Sequence, residues 1–135
     1  MSKRSDIRTA IITELLDAGN STTIVSAKSY KENAGDVYAM VHTDRSEKIE
    51  PEGSQYFWEQ FVIIISIYGR TLVDVETAAD VIQVLFYKTT PLANLQDQGV
   101  TNMQWTGIDP NPDHQTGIHR LDVSYTCEYR NTYTL

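Results

Sequence analysis

The chain has 135 residues, of which 41% are hydrophobic and 21% charged, and its formal net charge is −7. This composition is typical of a folded globular protein, and no run reaches the roughly 18 apolar residues of a membrane helix. The single cysteine, Cys127, excludes an intrachain disulfide and a cysteine-based zinc cluster. The acid excess and the scattered basic residues argue against wrapping nucleic acid. We therefore predict one domain over residues 1–135, of intracellular origin and without a signal peptide or membrane span.

The first part of the chain predicts a helix, a strand and a long loop. Apolar residues at every fourth position predict a helix from Ser5 to Ala18. Residues 20–35 are polar without a sustained period and predict a loop. Alternating side chains predict a first strand from Asp36 to His42. The charged segment from Thr43 to Gln55 predicts an exposed loop between two antiparallel strands, because it contains a proline, a glycine and little apolar content.

The longest apolar stretch runs from Phe57 to Tyr68 and predicts a central strand. Successive side chains of a strand point to opposite faces, and here both faces are apolar. One face carries Phe61, Ile63, Ile65 and Ile67, and the other carries Trp58, Val62, Ile64 and Tyr68. We expect the first face to lie under helices and the second to contact another subunit.

The second half of the chain predicts a helix and two more strands. Thr71 can cap a helix with Asp74 three residues on. Strands are predicted from Val100 to Ile108 and from His119 to Tyr129, with a turn-rich loop over residues 109–117 between them. The order α-β-β-α-β-β predicts an α+β two-layer sandwich, in which a mainly antiparallel four-stranded sheet carries both helices on one face.

No group of side chains predicts catalysis, a cofactor or a metal. The best candidates, Asp109, Asp113, His114 and His119, lie among ordinary turn formers that do not direct them to one point. The acidic run around Glu47 does not have the spacing of a calcium-binding loop.

Three tyrosines at every fourth position, Tyr125, Tyr129 and Tyr133, could form a stacking platform for bases, but core or subunit packing explains them better because few cations are nearby. His42 is interpreted as a partly buried or interface histidine.

The order of elements resembles the tail terminator proteins of long-tailed bacteriophages. The resemblance covers nearly the whole chain and rests on order and spacing. It is carried by the helix DIRTAIITELLDA, the strand FWEQFVIIISIYGR, the helix TLVDVETAADVIQVLF with PLAN after it, and the closing strand HRLDVSYTCEYR. The loops at 43–55 and 109–117 depart from the family in length.

The resemblance implies a non-enzymatic virion protein. Members form a ring, usually hexameric, at the head-proximal end of the tail, where the ring ends polymerisation of the tail tube and joins the tail to the head connector or stopper protein. DNA passes through the lumen without specific binding. The location implied is the neck region of the virion, after assembly in the host cytoplasm. The assembly interface that we predict comprises Asp44, Arg45, Glu47, Lys48, Trp58, Val62 and Ile64.

Two alternatives stay open at this point. Similar small α+β domains also serve as head-to-tail stoppers or other neck components. An enzyme or ligand-binding domain using Asp113, His114 and His119 is the alternative of a different class, and it would require bound metal or activity that changes in the histidine pH range.

Overall fold

A computed structural model describes the backbone of residues 3–17, 27–28, 37–52, 56–87, 92–110 and 118–132. It describes the side chains of residues 4–15, 37–43, 59–87, 92–110 and 118–129. The elements in chain order are helix α1 (Lys3–Asp17), strands β1 (Ala27–Lys28), β2 (Val37–Glu52) and β3 (Tyr56–Gly69), helices α2 (Leu72–Leu85) and α3 (Ala93–Asp97), and strands β4 (Val100–Pro110) and β5 (His119–Thr132).

The strands form one sheet in the order β1-β2-β3-β5-β4. Neighbouring pairs among β2, β3, β5 and β4 are antiparallel, so the predicted α+β fold with a four-stranded antiparallel sheet is confirmed. The short strand β1 adds a parallel fifth member beside Ala39 and Met40. The sequence patterns predict neither β1, which falls within an expected loop, nor the five-residue helix α3.

Two helices bury their apolar stripes against one face of the sheet, as predicted. The strand residues of that face include Ile63, Ile65 and Ile67, which are fully buried. The helical residues in the same core are Ile7, Ala10, Ile11 and Leu15 of α1 and Val75, Ala78, Ala79 and Ile82 of α2. Among the described residues, no helix is long and apolar enough to cross a membrane.

The N-terminus of α2 has the predicted cap. Thr71 is extended (φ −125°, ψ 150°), and its hydroxyl accepts a hydrogen bond from the Asp74 backbone amide at 3.2 Å. This bond satisfies one of the amides that the first helical turn leaves without a partner. Because β3 ends at Gly69, the central strand enters α2 almost directly.

The expected loop from Thr43 to Gln55 is wrong over most of its length, because residues 43–52 continue strand β2. Residue Lys48 lies opposite Glu59 and Pro51 lies opposite Phe57 on β3. The pairing shifts register after Thr43 and again after Lys48, and such bulges absorb residues that do not fit a regular ladder. Charge and proline are tolerated on an edge strand, and beyond Met40 no other described strand pairs with the outer edge of β2.

The second predicted loop, at 109–117, begins later than expected. Strand β4 includes Asp109 and Pro110, and residues 111–117 lie outside the described part of the chain. Strand β4 starts immediately after Gly99, whose φ of 86° lies in the left-handed region where glycine carries no steric cost. This turn redirects the chain from α3 into the edge strand.

Candidate assembly surface

The sheet face opposite the helices, called the open face here, carries no helix in the described part of the chain. It is formed by alternate residues of three neighbouring strands, and the strand register aligns them in rows. Its members with described side chains are Tyr38, Met40, His42, Gln60, Val62, Ile64, Ser66, Tyr68, Arg120, Asp122, Ser124, Thr126 and Glu128. All of them are half-buried except Ser66, which is fully buried.

The middle of the open face carries two apolar residues, Val62 and Ile64, which are called the apolar centre here. Ile64 of β3 lies between His42 of β2 and Ser124 of β5, and Val62 lies beside Thr126. These two aliphatic side chains lie on a central strand, and no described layer covers them. A protein that docked on this face would therefore bury them. Sequence analysis predicted Val62 and Ile64 on this second face, and the structure places both there.

A polar cluster borders this apolar centre. Arg120 Nε donates to Asp122 Oδ1 at 2.8 Å, and Arg120 Nη2 donates to Asp122 Oδ2 at 3.2 Å. The same Nη2 donates to Ser66 Oγ at 3.4 Å, and Ser66 Oγ lies 2.8 Å from His42 Nε2. The hydrogen bonds with Asp122 raise the pKa of Arg120 above its ordinary value. The guanidinium is thus held in one orientation by two planar contacts.

Two stacked tyrosines continue the cluster. The rings of Tyr38 and Tyr68 are 4.8 Å apart and 8° from parallel, and the Arg120 guanidinium carbon lies 5.4 Å from the Tyr68 ring centre. Burial, and next the neighbouring Tyr68, raise the pKa of Tyr38. Stacked rings and a paired arginine lose little conformational entropy when a partner docks, which suits them to a protein interface.

The His42 and Ser66 pair does not form an accessible nucleophile. A serine acts as a nucleophile only when its hydroxyl can reach a substrate carbonyl or phosphoryl group. Ser66 is fully buried, and its hydroxyl is already bonded to both His42 and Arg120. The buried Ser66 hydroxyl is therefore a hydrogen-bonding partner that fixes His42 and Arg120 on the open face.

The remaining predicted interface residues fall in strands. Asp44, Arg45, Glu47 and Lys48 belong to β2, and Trp58 belongs to β3, where it pairs with Arg130. They lie on the part of the β2–β3 hairpin that extends from the apolar centre towards the connection at 53–55. Their role in a contact stays a prediction.

Of the four residues of the candidate metal cluster, only Asp109 and His119 lie in the described part of the chain. Asp109 of β4 lies opposite Asp122, whereas His119 pairs with Gly69 at the start of β5. Asp113 and His114 lie outside the described residues. Within the described part of the chain, no three His, Cys, Asp or Glu side chains are close enough to hold a metal ion.

Two of the three tyrosines at four-residue spacing, Tyr125 and Tyr129, pack in the core, which is one of the two kinds of packing that the sequence analysis favoured. Tyr129 makes an edge contact with Phe61 at 5.3 Å and Tyr125 with Phe86 at 5.8 Å. Both lie on the helix-covered face, so they cannot offer a platform for bases. Tyr133 lies outside the described residues.

Sequence analysis did not identify the cluster of Tyr38, Tyr68 and Arg120. The alternation of β5 placed Arg120 and Asp122 together on its polar face, and Tyr38 and Tyr68 each shared a parity with other surface residues. The missing information was strand register, because only the pairing of Tyr38 with Tyr68 and of Tyr68 with Arg120 aligns all three.

No protein-family model and no curated protein matches the chain. Among solved structures, one similar chain belongs to the "Virion of native gene transfer agent (GTA) particle". The two chains superimpose with a TM-score of 0.71 over 94% of this chain and 96% of that chain, and 9% of the aligned residues are identical. At that identity the likeness shows a shared fold over nearly the whole length.

Proposed function

We propose that this chain is a structural protein of a phage-like virion. The observation that carries the proposal is the match in fold, over nearly the full length of both chains, to a chain of a gene transfer agent virion. A fold supports many functions, so the open face supplies the second argument. It has the apolar centre and the hydrogen-bonded polar border of a protein contact.

Within that class, we propose a tail terminator that forms a ring, with a hexamer as the expected size. Each subunit would place its open face, with Val62 and Ile64 at the centre, against a different surface of its neighbour. Such unlike contacts repeat around an axis and close into a ring. A contact of standard size would bury about 800 Å² per partner. We propose that the β2–β3 hairpin with Asp44, Arg45, Glu47, Lys48 and Trp58 forms part of it.

In this proposal the ring sits at the head-proximal end of the tail, in the neck of the virion. It ends polymerisation of the tail tube protein below it and contacts a connector or stopper protein above it. DNA passes through its lumen. The net charge of −7 supports passage without adhesion, because an acidic surface repels phosphates.

The test is negative-stain imaging of tail tubes incubated with the purified protein. A terminator caps one end of each tube and stops further growth when tube subunits are added. Tubes that continue to grow from both ends in excess protein would contradict the terminator role. Deletion of residues 44–52 should abolish capping, because it removes the part of the β2–β3 hairpin that we assign to the ring contact, while the circular dichroism spectrum keeps its helical signal.

A stopper or other neck component is the second candidate, because the fold is shared with a chain of a virion particle and a virion contains several kinds of assembly protein. Pull-down against the tail tube protein and against the portal-side adaptor separates the two. A terminator binds the tube protein, whereas a stopper binds only the adaptor.

A further inference from the structure

The guanidinium of Arg120 has hydrogen-bond donors that its contacts on the open face do not use. An arginine side chain carries five N–H groups and no acceptor. Three of them are engaged, because Nε donates to Asp122 Oδ1 and the two N–H groups of Nη2 donate to Asp122 Oδ2 and Ser66 Oγ. No described residue accepts a hydrogen bond from Nη1, so its two N–H groups are available to another molecule.

The guanidinium is held in place and is still accessible. The Arg120 side chain is 28% exposed, and its Cζ lies 5.4 Å from the ring centre of Tyr68. Donors that are fixed before a partner arrives lose little conformational entropy on binding. A partner that covered the open face would also have to supply an acceptor for Nη1, since a buried N–H group without an acceptor is costly.

The charges around Arg120 limit the kind of acceptor. Arg120 is already paired with Asp122, and Asp109 of β4 lies opposite Asp122 in the strand register. A carboxylate from a partner would therefore join a site that has one cation and two carboxylates, and burying an unpaired charge is costly. An uncharged oxygen, such as a backbone carbonyl, accepts from Nη1 without adding a charge.

We propose that Arg120 is the recognition residue of the ring contact and that its Nη1 group donates to a backbone carbonyl of the neighbouring copy. Asp122 and Ser66 act through Arg120, because they fix the orientation of its guanidinium. The inference rests on the proposed ring and adds the chemical group on the neighbour that the open face binds. In this account the apolar centre supplies buried area, and Arg120 fixes how the two copies are aligned.

The test compares Arg120→Lys with the matched control Arg70→Lys. Lysine keeps the positive charge, but its ammonium group does not reproduce the planar fork that contacts Asp122 on one edge and the neighbour on another. Light scattering over a dilution series gives the concentration at which half of the chains are assembled. Arg120→Lys should raise this concentration at least about tenfold. Arg70 is exposed in the turn after β3, outside the open face, so Arg70→Lys should assemble like the wild type.

A second variant, Asp122→Asn, tests the charge of the acceptor. If the acceptor is uncharged, this variant leaves the Arg120 charge without a counter-ion in the contact, so assembly should weaken. If the neighbour supplied a carboxylate, the same variant would release Arg120 to pair with it, and assembly would strengthen. The direction of the change therefore separates the two kinds of acceptor.

Circular dichroism and urea unfolding show whether each variant keeps the wild-type fold. A folded Arg120→Lys variant that assembles like the wild type, or an equal loss in Arg70→Lys, would overturn this inference and leave the ring proposal standing. Unchanged or stronger assembly of Asp122→Asn would also overturn it, and this variant decides alone if Arg120→Lys does not fold. A wild type that stays monomeric at every concentration would overturn the ring proposal, and this inference with it.

Discussion

Two tyrosines of β5 share the core but differ in what their hydroxyl groups contact. The Tyr129 hydroxyl donates to Glu59 Oε2 at 2.5 Å. The Tyr125 hydroxyl is buried and has no hydrogen-bond partner among the described residues. Burial is the main cause that raises the pKa of each phenol above its ordinary value of 10.0. The two residues therefore form a natural pair for measuring what a buried hydroxyl contributes.

We expect Tyr129→Phe to lower the free energy of unfolding by about 1–2 kcal/mol, because it removes a hydrogen bond to a carboxylate. Tyr125→Phe should leave that free energy within about 0.5 kcal/mol of wild type or raise it, because it removes a buried polar atom that has no partner. Urea unfolding followed by circular dichroism measures both. Equal destabilisation by the two substitutions would show that the Tyr125 hydroxyl has a partner.

The thiol of Cys127 makes stability depend on alkaline pH. Burial raises its pKa from the ordinary value of 9.0 to about 12. Because the folded state holds the proton more tightly, this contribution to stability is fully present below pH 9.0 and is lost as the pH rises towards the folded-state value. We expect a loss of about 1 kcal/mol by pH 10 from this group.

Urea midpoints at pH 7, 9 and 10 measure this loss, with Cys127→Ala as the control. The variant is less stable at every pH because it leaves a cavity, but its stability should fall less between pH 9 and 10. An identical fall in the two proteins would contradict the assignment to the thiol.

A capping hydrogen bond closes the first turn of helix α2. The Thr71 hydroxyl accepts from the Asp74 amide, so we expect Thr71→Ala to cost about 1 kcal/mol of stability. Thr77→Ala is a matched control, because Thr77 lies within the same helix and its hydroxyl bonds only to a carbonyl already in the helix ladder. That variant should be neutral or slightly stabilising, since alanine is the better helix former. Thermal melts measure both, and a larger loss for Thr77→Ala would contradict the capping role.

At the level of elements, sequence patterns predicted the helices and strands whose side chains pack in the core. Val37, Ile65 and Val75 belong to strands and a helix that were predicted from their apolar periods, because a buried face leaves that period in the sequence. The distal part of β2 leaves no such period. Its ladder with β3 depends on backbone hydrogen bonds, which composition does not reveal, and for this reason the pattern of residues 43–52 predicts a loop.

The edge strand β4 shows a second feature that sequence patterns do not reveal. Its pairing with β5 shifts at Thr101 and again at Thr106. At these two shifts, the Thr101 hydroxyl donates to the Glu128 carbonyl at 3.3 Å and the Thr106 hydroxyl donates to the Ser124 carbonyl at 3.1 Å. The threonines thus satisfy carbonyl groups where the ladder is irregular. Bulges of this kind also discourage another chain from pairing with the edge.

On the scale of the whole molecule, the helices cover one face of the sheet, and the open face carries no helix in the described part of the chain. The open face has an apolar centre around Ile64 and a polar border fixed by Arg120, Asp122 and Ser66. If the open face of each subunit docks on a different surface of its neighbour, repetition of this contact around an axis closes a ring.

The candidate interface was only partly predictable, because its residues come from strands that are distant in the sequence. Val62 and Ile64 were identified because a strand with two apolar faces cannot leave both exposed to water. The border of Tyr38, Tyr68 and Arg120 required the strand order β2-β3-β5, which depends on pairing between segments distant in the chain. Periodicity within one segment carries no information about its neighbours.

The central claim, that the open face joins subunits in a ring, is tested most directly by the light-scattering mass of the wild type and of Ile64→Glu at equal concentration. A charge at the centre of the contact should prevent assembly, while Val84→Glu on α2 changes the charge equally outside it. Circular dichroism confirms that both variants are folded. We expect a closed species of roughly six subunits for the wild type and for Val84→Glu, and a monomer for Ile64→Glu. A folded Ile64→Glu variant with the mass of the wild-type assembly would contradict the claim.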